Sequence, residues 1–176
     1  MILYIIKKPR KNLFDKYKIN CLKNYASFIN YDQEIQILTN EHGKPYLKDD
    51  PFYFNVSHSH DYYIMACSQF PVGIDIEKHR PNHYLEIAKR FYTPEEYDYV
   101  QKHKISDFFD IWCMKESYTK YLGQSIFQTV KHINTCQNDT LITHYQDLYF
   151  IKHFIDQDYS CCIVTQHLDN IKEVYI

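Results

Sequence analysis

Glycine is scarce in this chain: 3 residues of 176, beside 6 prolines and a single tryptophan. So few chain-loosening residues exclude a flexible linker or a low-complexity segment. Long apolar runs are missing as well. The run at residues 1–6 is too short for a secretory signal, and Lys7 and Lys8 follow it rather than precede it. No stretch reaches the length of a membrane span. Among the six cysteines (Cys21, Cys67, Cys113, Cys136, Cys161, Cys162) there is no Cys-x-x-Cys spacing. Buried free thiols in a reduced, cytoplasmic protein are expected. Charge of one sign is also lacking overall. A net charge of −2 argues against general nucleic-acid binding. Its distribution is uneven: Lys7, Lys8, Arg10, Lys11, Lys16, Lys18 and Lys23 face Asp15 alone in residues 1–23, which makes +6 there and −8 over the rest. Such a region suits phosphate or an acidic partner, or is a solvated face.

What the chain does have is aromatic rings, 18 Tyr and 11 Phe, within an ordinary balance of 45% hydrophobic and 24% charged residues. Its length suffices for one sizeable core, or for two small subdomains sharing one.

Apolar residues recur at helical spacing from Phe14 to Ile29. Strands are expected at residues 2–6, 34–38, 53–57 and 62–68, with Ser57-His58-Ser59-His60 as the polar connection between the last two. His42-Gly43-Lys44-Pro45 is turn chemistry that holds Lys44 on extended backbone. A short helix is expected at residues 83–91. Thr93-Pro94-Glu95-Glu96 is a helix start with a structural purpose. The next long helix spans residues 107–122 and closes at Gly123. Beyond it the chain reads as β, at residues 127–133, 140–144, 148–155, 159–165 and 173–176. Cys161 and Cys162 face opposite sides of one of these strands.

Two places break the ordinary pattern. In Val72-Gly73-Ile74-Asp75-Ile76-Glu77 the apolar side chains alternate with two carboxylates, so Asp75 and Glu77 leave one face of a strand together. Like charges that close repel unless a cation lies between them, and a hard ion such as Mg²⁺ suits oxygen ligands. The plainer alternative is an edge strand with a wet face. On the 107–122 helix, Phe108, Phe109, Ile111, Trp112, Tyr118 and Leu122 share one arc, and Asp110, Ser117 and Tyr121 mark the wet side. Glu116 and Lys115 fall inside the apolar arc and Lys120 at its edge. A charge forced towards the core marks function, or else Glu116 and Lys120 are an i,i+4 pair at the rim, worth ~0.3 kcal/mol. His58 and His60 lack a third ligand at metal-site spacing. His58 is either a surface residue or a phosphate contact.

In order, Gly43-Lys44-Pro45-Tyr46, Phe54-Asn55-Val56-Ser57-His58-Ser59, Val72-Gly73-Ile74-Asp75-Ile76-Glu77 and Trp112-Cys113-Met114-Lys115-Glu116-Ser117-Tyr118-Thr119-Lys120 resemble the 4′-phosphopantetheinyl transferases, most closely the Sfp type. The resemblance implies an α+β fold of two related subdomains in a pseudo-twofold arrangement, residues 1–100 and 101–176, each a mostly antiparallel sheet packed with a long helix. It implies transfer of the phosphopantetheine arm of coenzyme A to a serine of an acyl or peptidyl carrier protein, with release of 3′,5′-ADP. It implies Asp75, Glu77 and Glu116 as Mg²⁺ ligands, with Mn²⁺ acceptable to the same oxygens. Glu116 is also implied as the base and Lys120 as the stabiliser of leaving-group charge. Lys44, Ser57 and His58 are implied as coenzyme A contacts, in a monomer that binds neither nucleic acid nor membrane. The departure lies before Gly43, where the usual basic region is shortened and Lys16, Lys18 and Lys23 are the candidates to replace it. Two other classes remain open from the residues: a metal-dependent phosphoesterase with water as nucleophile, and a non-catalytic binder of carrier protein or coenzyme A.

Overall fold

The protein was described from a computed structural model that covers residues 1–81 and 83–176. The chain runs β1 (Ile2–Lys7), α1 (Phe14–Phe28), β2 (Ile37–Thr39), β3 (Pro45–Leu47), β4 (Tyr53–Ser59), β5 (Tyr62–Ser68) and β6 (Val72–Lys78). Three helices follow, α2 (Tyr84–Phe91), α3 (Pro94–Lys102) and α4 (Ile105–Leu122), then the single turn α5 (Ile126–Thr129). The remainder is β7 (Cys136–Gln137), β8 (Thr140–Leu141), β9 (His144–Tyr145), β10 (Leu148–Lys152), β11 (Tyr159–Thr165) and β12 (Lys172–Tyr175). Among the described residues no helix is long and apolar enough to cross a membrane.

The architecture is α+β, built on two four-stranded sheets ordered β12-β1-β5-β4 and β6-β11-β10-β9. Every pair in them is antiparallel except β1 with β12. The sheets exchange strands along the chain. β6 precedes residue 100 yet pairs with β11, Asp75 opposite Cys162, while the late strand β12 lies beside β1.

Burial explains the continuous apolar runs in β1, β5 and β11, which are covered on both faces. Ile2, Tyr4, Ile6, Met65 and Cys67 pack against Cys21, Leu22 and Tyr25 of α1. The alternate residues Leu3, Ile5, Ile64 and Ala66 meet Val72, Ile74, Ile76, Cys161 and Ile163 between the sheets. On the far side, Cys162, Val164 and Phe150 pack on Cys113 and Met114 of α4. The layers are therefore helix, sheet, sheet, helix, and Cys161 and Cys162 do face opposite ways.

Several local expectations change. The residues 127–133 do not form a strand. Residues 126–129 are helical, because the Gln128 side chain accepts the Ser125 N–H (3.2 Å) at a new helix start. The span 34–38 yields a strand only from Ile37, paired with the unforeseen β3, and the span 140–144 divides between β8 and β9. The long helix begins two residues early, since the Asp107 carboxylate accepts the Lys104 N–H (3.0 Å) and so caps the helix rather than starting it. The expected wet side of that helix is corrected as well. Ser117 is fully buried and bonds back to the Cys113 and Met114 carbonyls, whereas Leu122 of the expected apolar arc is exposed.

Candidate active site

Gly73 sets how closely α4 can approach β6. A Cβ at this position would lie 2.0 Å from the Ser117 carbonyl oxygen and 2.6 Å from the Tyr121 nitrogen. Without a side chain there, the helix backbone settles directly on the strand, and residues one turn apart on α4 come to bear on Asp75 and Glu77. The Lys120 ammonium donates to Asp75 Oδ1 (2.7 Å) and to Ser57 Oγ (3.0 Å). Glu116, one turn earlier, is half-buried on the same side.

The three carboxylates act on one another electrostatically. Burial, then the charge of Asp75, pushes the Glu116 carboxyl up to about 7. Lys120 pulls it back and Glu77 pushes it further. Burial and Asp75 likewise raise Glu77, against the Ser59 hydrogen bond and the charges of Arg80 and Lys120. For Lys120, burial favours the neutral amine, but Asp75 and Glu116 outweigh it and hold the ammonium above its ordinary value. Lys120 acts on all three carboxylates, and Arg80 adds its charge at Glu77.

The first sheet contributes through β4. The sequence reading puts Ser57-His58-Ser59-His60 in a connecting loop, but the strand runs on through Ser59 and the turn begins at His60, whose φ is 45°. Strand alternation then sends Ser57 and Ser59 inward and His58 outward. Ser57, expected as a phosphate contact, has its hydroxyl buried against Asp75 Oδ1 (2.8 Å). His58 is exposed, rests against the Phe14 ring with centroids 4.9 Å apart, and lines a cavity of about 450 Å³ with Lys11, His60, Glu77 and Arg80. Lys44 opens into a separate cavity of about 400 Å³ with Tyr121 and Gly123. Its ammonium donates to the Tyr121 carbonyl (3.1 Å) at the end of α4, and burial lowers it to about 8. Of the basic candidates on α1, Lys18 is paired with Asp15 at 2.9 Å and Lys23 lines a cavity away from the carboxylates. Lys11 and Arg80 occupy the His58 cleft instead. Lys11 belongs to the basic stretch that the sequence marks as suiting phosphate, whereas nothing local distinguishes Arg80 from any other exposed basic residue.

Among the described residues, no group of three or more His, Cys, Asp or Glu side chains stands ready to hold a metal ion. Lys120 already holds one oxygen of Asp75. The donor set nevertheless fits a hard divalent cation. Asp75 Oδ2 is buried without a hydrogen-bond partner among the described residues, and the neighbouring Cys113 thiol donates instead to the Ser160 carbonyl (3.2 Å). A buried carboxylate oxygen left bare is costly unless a cation or water satisfies it. Burial and neighbouring carboxylate charge raise Glu77 and Glu116 as well, and such oxygens suit a hard cation.

Comparison with known proteins gives the family. Residues 71–174 match the family model described as the 4′-phosphopantetheinyl transferase superfamily. The chain is 35% identical over 147 residues to the 4′-phosphopantetheinyl transferase Sfp of Bacillus subtilis (strain 168), covering 77% of this chain and 65% of that protein. It is 30% identical over 151 residues to the 4′-phosphopantetheinyl transferase gsp of Aneurinibacillus migulanus, covering 80% and 63%. A third relative, the 4′-phosphopantetheinyl transferase psf-1 of Bacillus pumilus, is 38% identical over 99 residues, 53% of this chain and 42% of its own length. The match thus spans less than two thirds of the length of each of these relatives. It includes β6 with its two carboxylates, α4 with Glu116 and Lys120, and the strands that hold them, and on that ground the chain belongs to the 4′-phosphopantetheinyl transferase superfamily.

Proposed function

We propose that this chain transfers the 4′-phosphopantetheine arm of coenzyme A to a serine of an acyl or peptidyl carrier protein, releasing 3′,5′-ADP, with Mg²⁺ held by Asp75, Glu77 and Glu116. The observation that carries the reading is the placing of Asp75, Lys120 and Glu116 where α4 meets β6, with Asp75 Oδ2 buried and without a hydrogen-bond partner among the described residues. When bound, the ion would neutralise phosphate charge and orient the pyrophosphate, which is most of what phosphoryl transfer asks of a protein. Mn²⁺ can serve the same oxygens.

The chain's own groups have distinct tasks in this scheme. Glu116, with a carboxyl near neutrality, takes the proton of the incoming serine hydroxyl. Lys120 stays charged and stabilises the negative charge that builds on the departing nucleotide. Lys11, His58 and Arg80 line the adjacent cleft and suit the remaining phosphates of coenzyme A. Lys44 donates one hydrogen bond to the Tyr121 carbonyl and has two further N–H donors with which to meet a coenzyme A phosphate from its own cavity. The six free, buried cysteines fit a reducing compartment, and we read the protein as a cytoplasmic monomer.

The test is intact-mass analysis of an apo carrier incubated with the chain, coenzyme A and Mg²⁺. The carrier is expected to gain one phosphopantetheine, and the gain should vanish with chelator. Release of phosphopantetheine from coenzyme A without a carrier would point to a phosphoesterase instead.

A further inference from the structure

β6 is an edge strand. Its pairing with β11 leaves the N–H groups of Ile74, Ile76 and Lys78 facing away from that partner, where a buried edge needs acceptors. Three side chains of β4, two residues apart, supply them. Asn55 Oδ1 accepts from Ile74 N–H (2.9 Å), Ser57 Oγ from Ile76 N–H (3.3 Å) and Ser59 Oγ from Lys78 N–H (3.1 Å). The two hydroxyls then do something the amide does not. Each donates its own hydrogen bond to the carboxylate one residue back, Ser57 to Asp75 Oδ1 (2.8 Å) and Ser59 to Glu77 Oε2 (2.9 Å). Accepting from the backbone fixes the direction of each hydroxyl proton. One oxygen of each carboxylate is thereby held, and the other is left for a ligand.

We propose that Ser59 is a positioning residue for the divalent cation: its hydroxyl, oriented by Lys78 N–H, holds Glu77 by Oε2 so that Oε1 is presented to the ion. This rests on the metal-dependent reading above. Ser57 plays the matching part for Asp75 but also accepts from Lys120, so its removal would disturb two groups at once. Ser59 is the cleaner case, since among the described residues its hydroxyl bonds only to Glu77 and to the Lys78 N–H. Without it, Glu77 is crowded by Asp75 and free to turn towards Arg80 in the same cleft. Groups that orient a metal ligand from behind are worth about 10–100-fold in metal affinity.

The test measures binding, not turnover. Mn²⁺ is titrated into the full chain and free ion is followed by electron paramagnetic resonance, with thermal melts of the metal-free proteins alongside. Ser59→Ala is expected to weaken Mn²⁺ at least about tenfold, Ser59→Thr to restore most of the affinity, and Ser59→Ala to add nothing in a Glu77→Ala background. Wild-type affinity in Ser59→Ala, no recovery in Ser59→Thr, or an equal further loss on top of Glu77→Ala would overturn the proposal. If Ser59→Ala does not fold, Ser59→Thr and Ser59→Cys carry the comparison: the poor donor Cys must bind Mn²⁺ more weakly than Thr, and equal affinities overturn the proposal. A wild-type chain that binds no Mn²⁺ would overturn the metal-dependent reading itself.

Discussion

Lys115→Met removes the one fully buried cation among the described residues. Lys115 and Glu96 are both fully buried, with Nζ 2.9 Å from Glu96 Oε2. The same ammonium donates to the Val130 and Ile133 carbonyls, each at 2.7 Å. Glu96 in turn accepts the Thr135 N–H (2.7 Å) and hydroxyl (2.8 Å) and the Thr93 N–H (2.8 Å). One salt bridge thus ties α3, α4 and the 130–135 loop together behind the active-site helix. Methionine is unbranched like lysine, one heavy atom shorter and close to it in helix propensity, so the substitution deletes the ammonium with little change in packing. It strands a buried carboxylate and leaves two carbonyls unpaired, and breaking a buried pair in this way costs about 3–5 kcal/mol. At about 2–4 °C per kcal/mol for a chain of this size, the melting temperature should fall by roughly 6–20 °C. Urea titration with an unchanged slope is the assay. The Glu96→Gln/Lys115→Met double variant should be more stable than Lys115→Met alone, because no charge is then stranded. A single-variant loss below about 1 kcal/mol, or a double variant no better than the single, would refute the reasoning.

Two further outcomes follow from the site. Gly73→Ala drives a methyl into the α4 backbone; it should cost about 1–3 kcal/mol in denaturant titration and weaken Mn²⁺ binding as well, because the helix that carries Glu116 must move off β6. Folding raises the Glu116 carboxyl from 4.5 to about 7, so the folded state holds that proton more tightly than the unfolded chain. The associated stability is complete below about pH 4.5 and is lost as pH rises through about 7. Metal-free protein should therefore melt lower at pH 8 than at pH 5.5. Glu116→Gln should flatten that slope without abolishing it, since Glu77 is raised too, and should gain up to about 3 kcal/mol at pH 8 before allowance for partial solvent screening. A pH dependence identical to wild type would remove the claim that Glu116 is crowded.

Period-two and period-3.6 patterning carried most of the fold, because β1, β5, β11 and α4 are long and their side chains answer to burial. Asp75 and Glu77 were legible for the same reason: alternation places them on one face whatever the strand packs against. The misjudged parts turn on contacts distant in sequence. Lys115 in an apolar arc looked like a conflict pointing to function, but Glu96, nineteen positions earlier, resolves it as structure. Ser117 looked wet because serine is polar, yet its hydroxyl is satisfied by its own helix. Ser57 and Ser59 read as loop because Ser-His-Ser-His resembles a turn. Their alternation is visible in the sequence, but its meaning depends on β6 lying alongside, and no local pattern reveals that. The short strands after α5 are two residues each and leave too little periodicity to detect.

The most direct measurement is anomalous diffraction from a crystal soaked with Mn²⁺ and coenzyme A. The account predicts a single strong peak bounded by Asp75 Oδ2, Glu77 and Glu116, with Lys120 beside the pyrophosphate. No peak there under saturating Mn²⁺, or an ion held by the phosphates with all three carboxylates turned away, would contradict it.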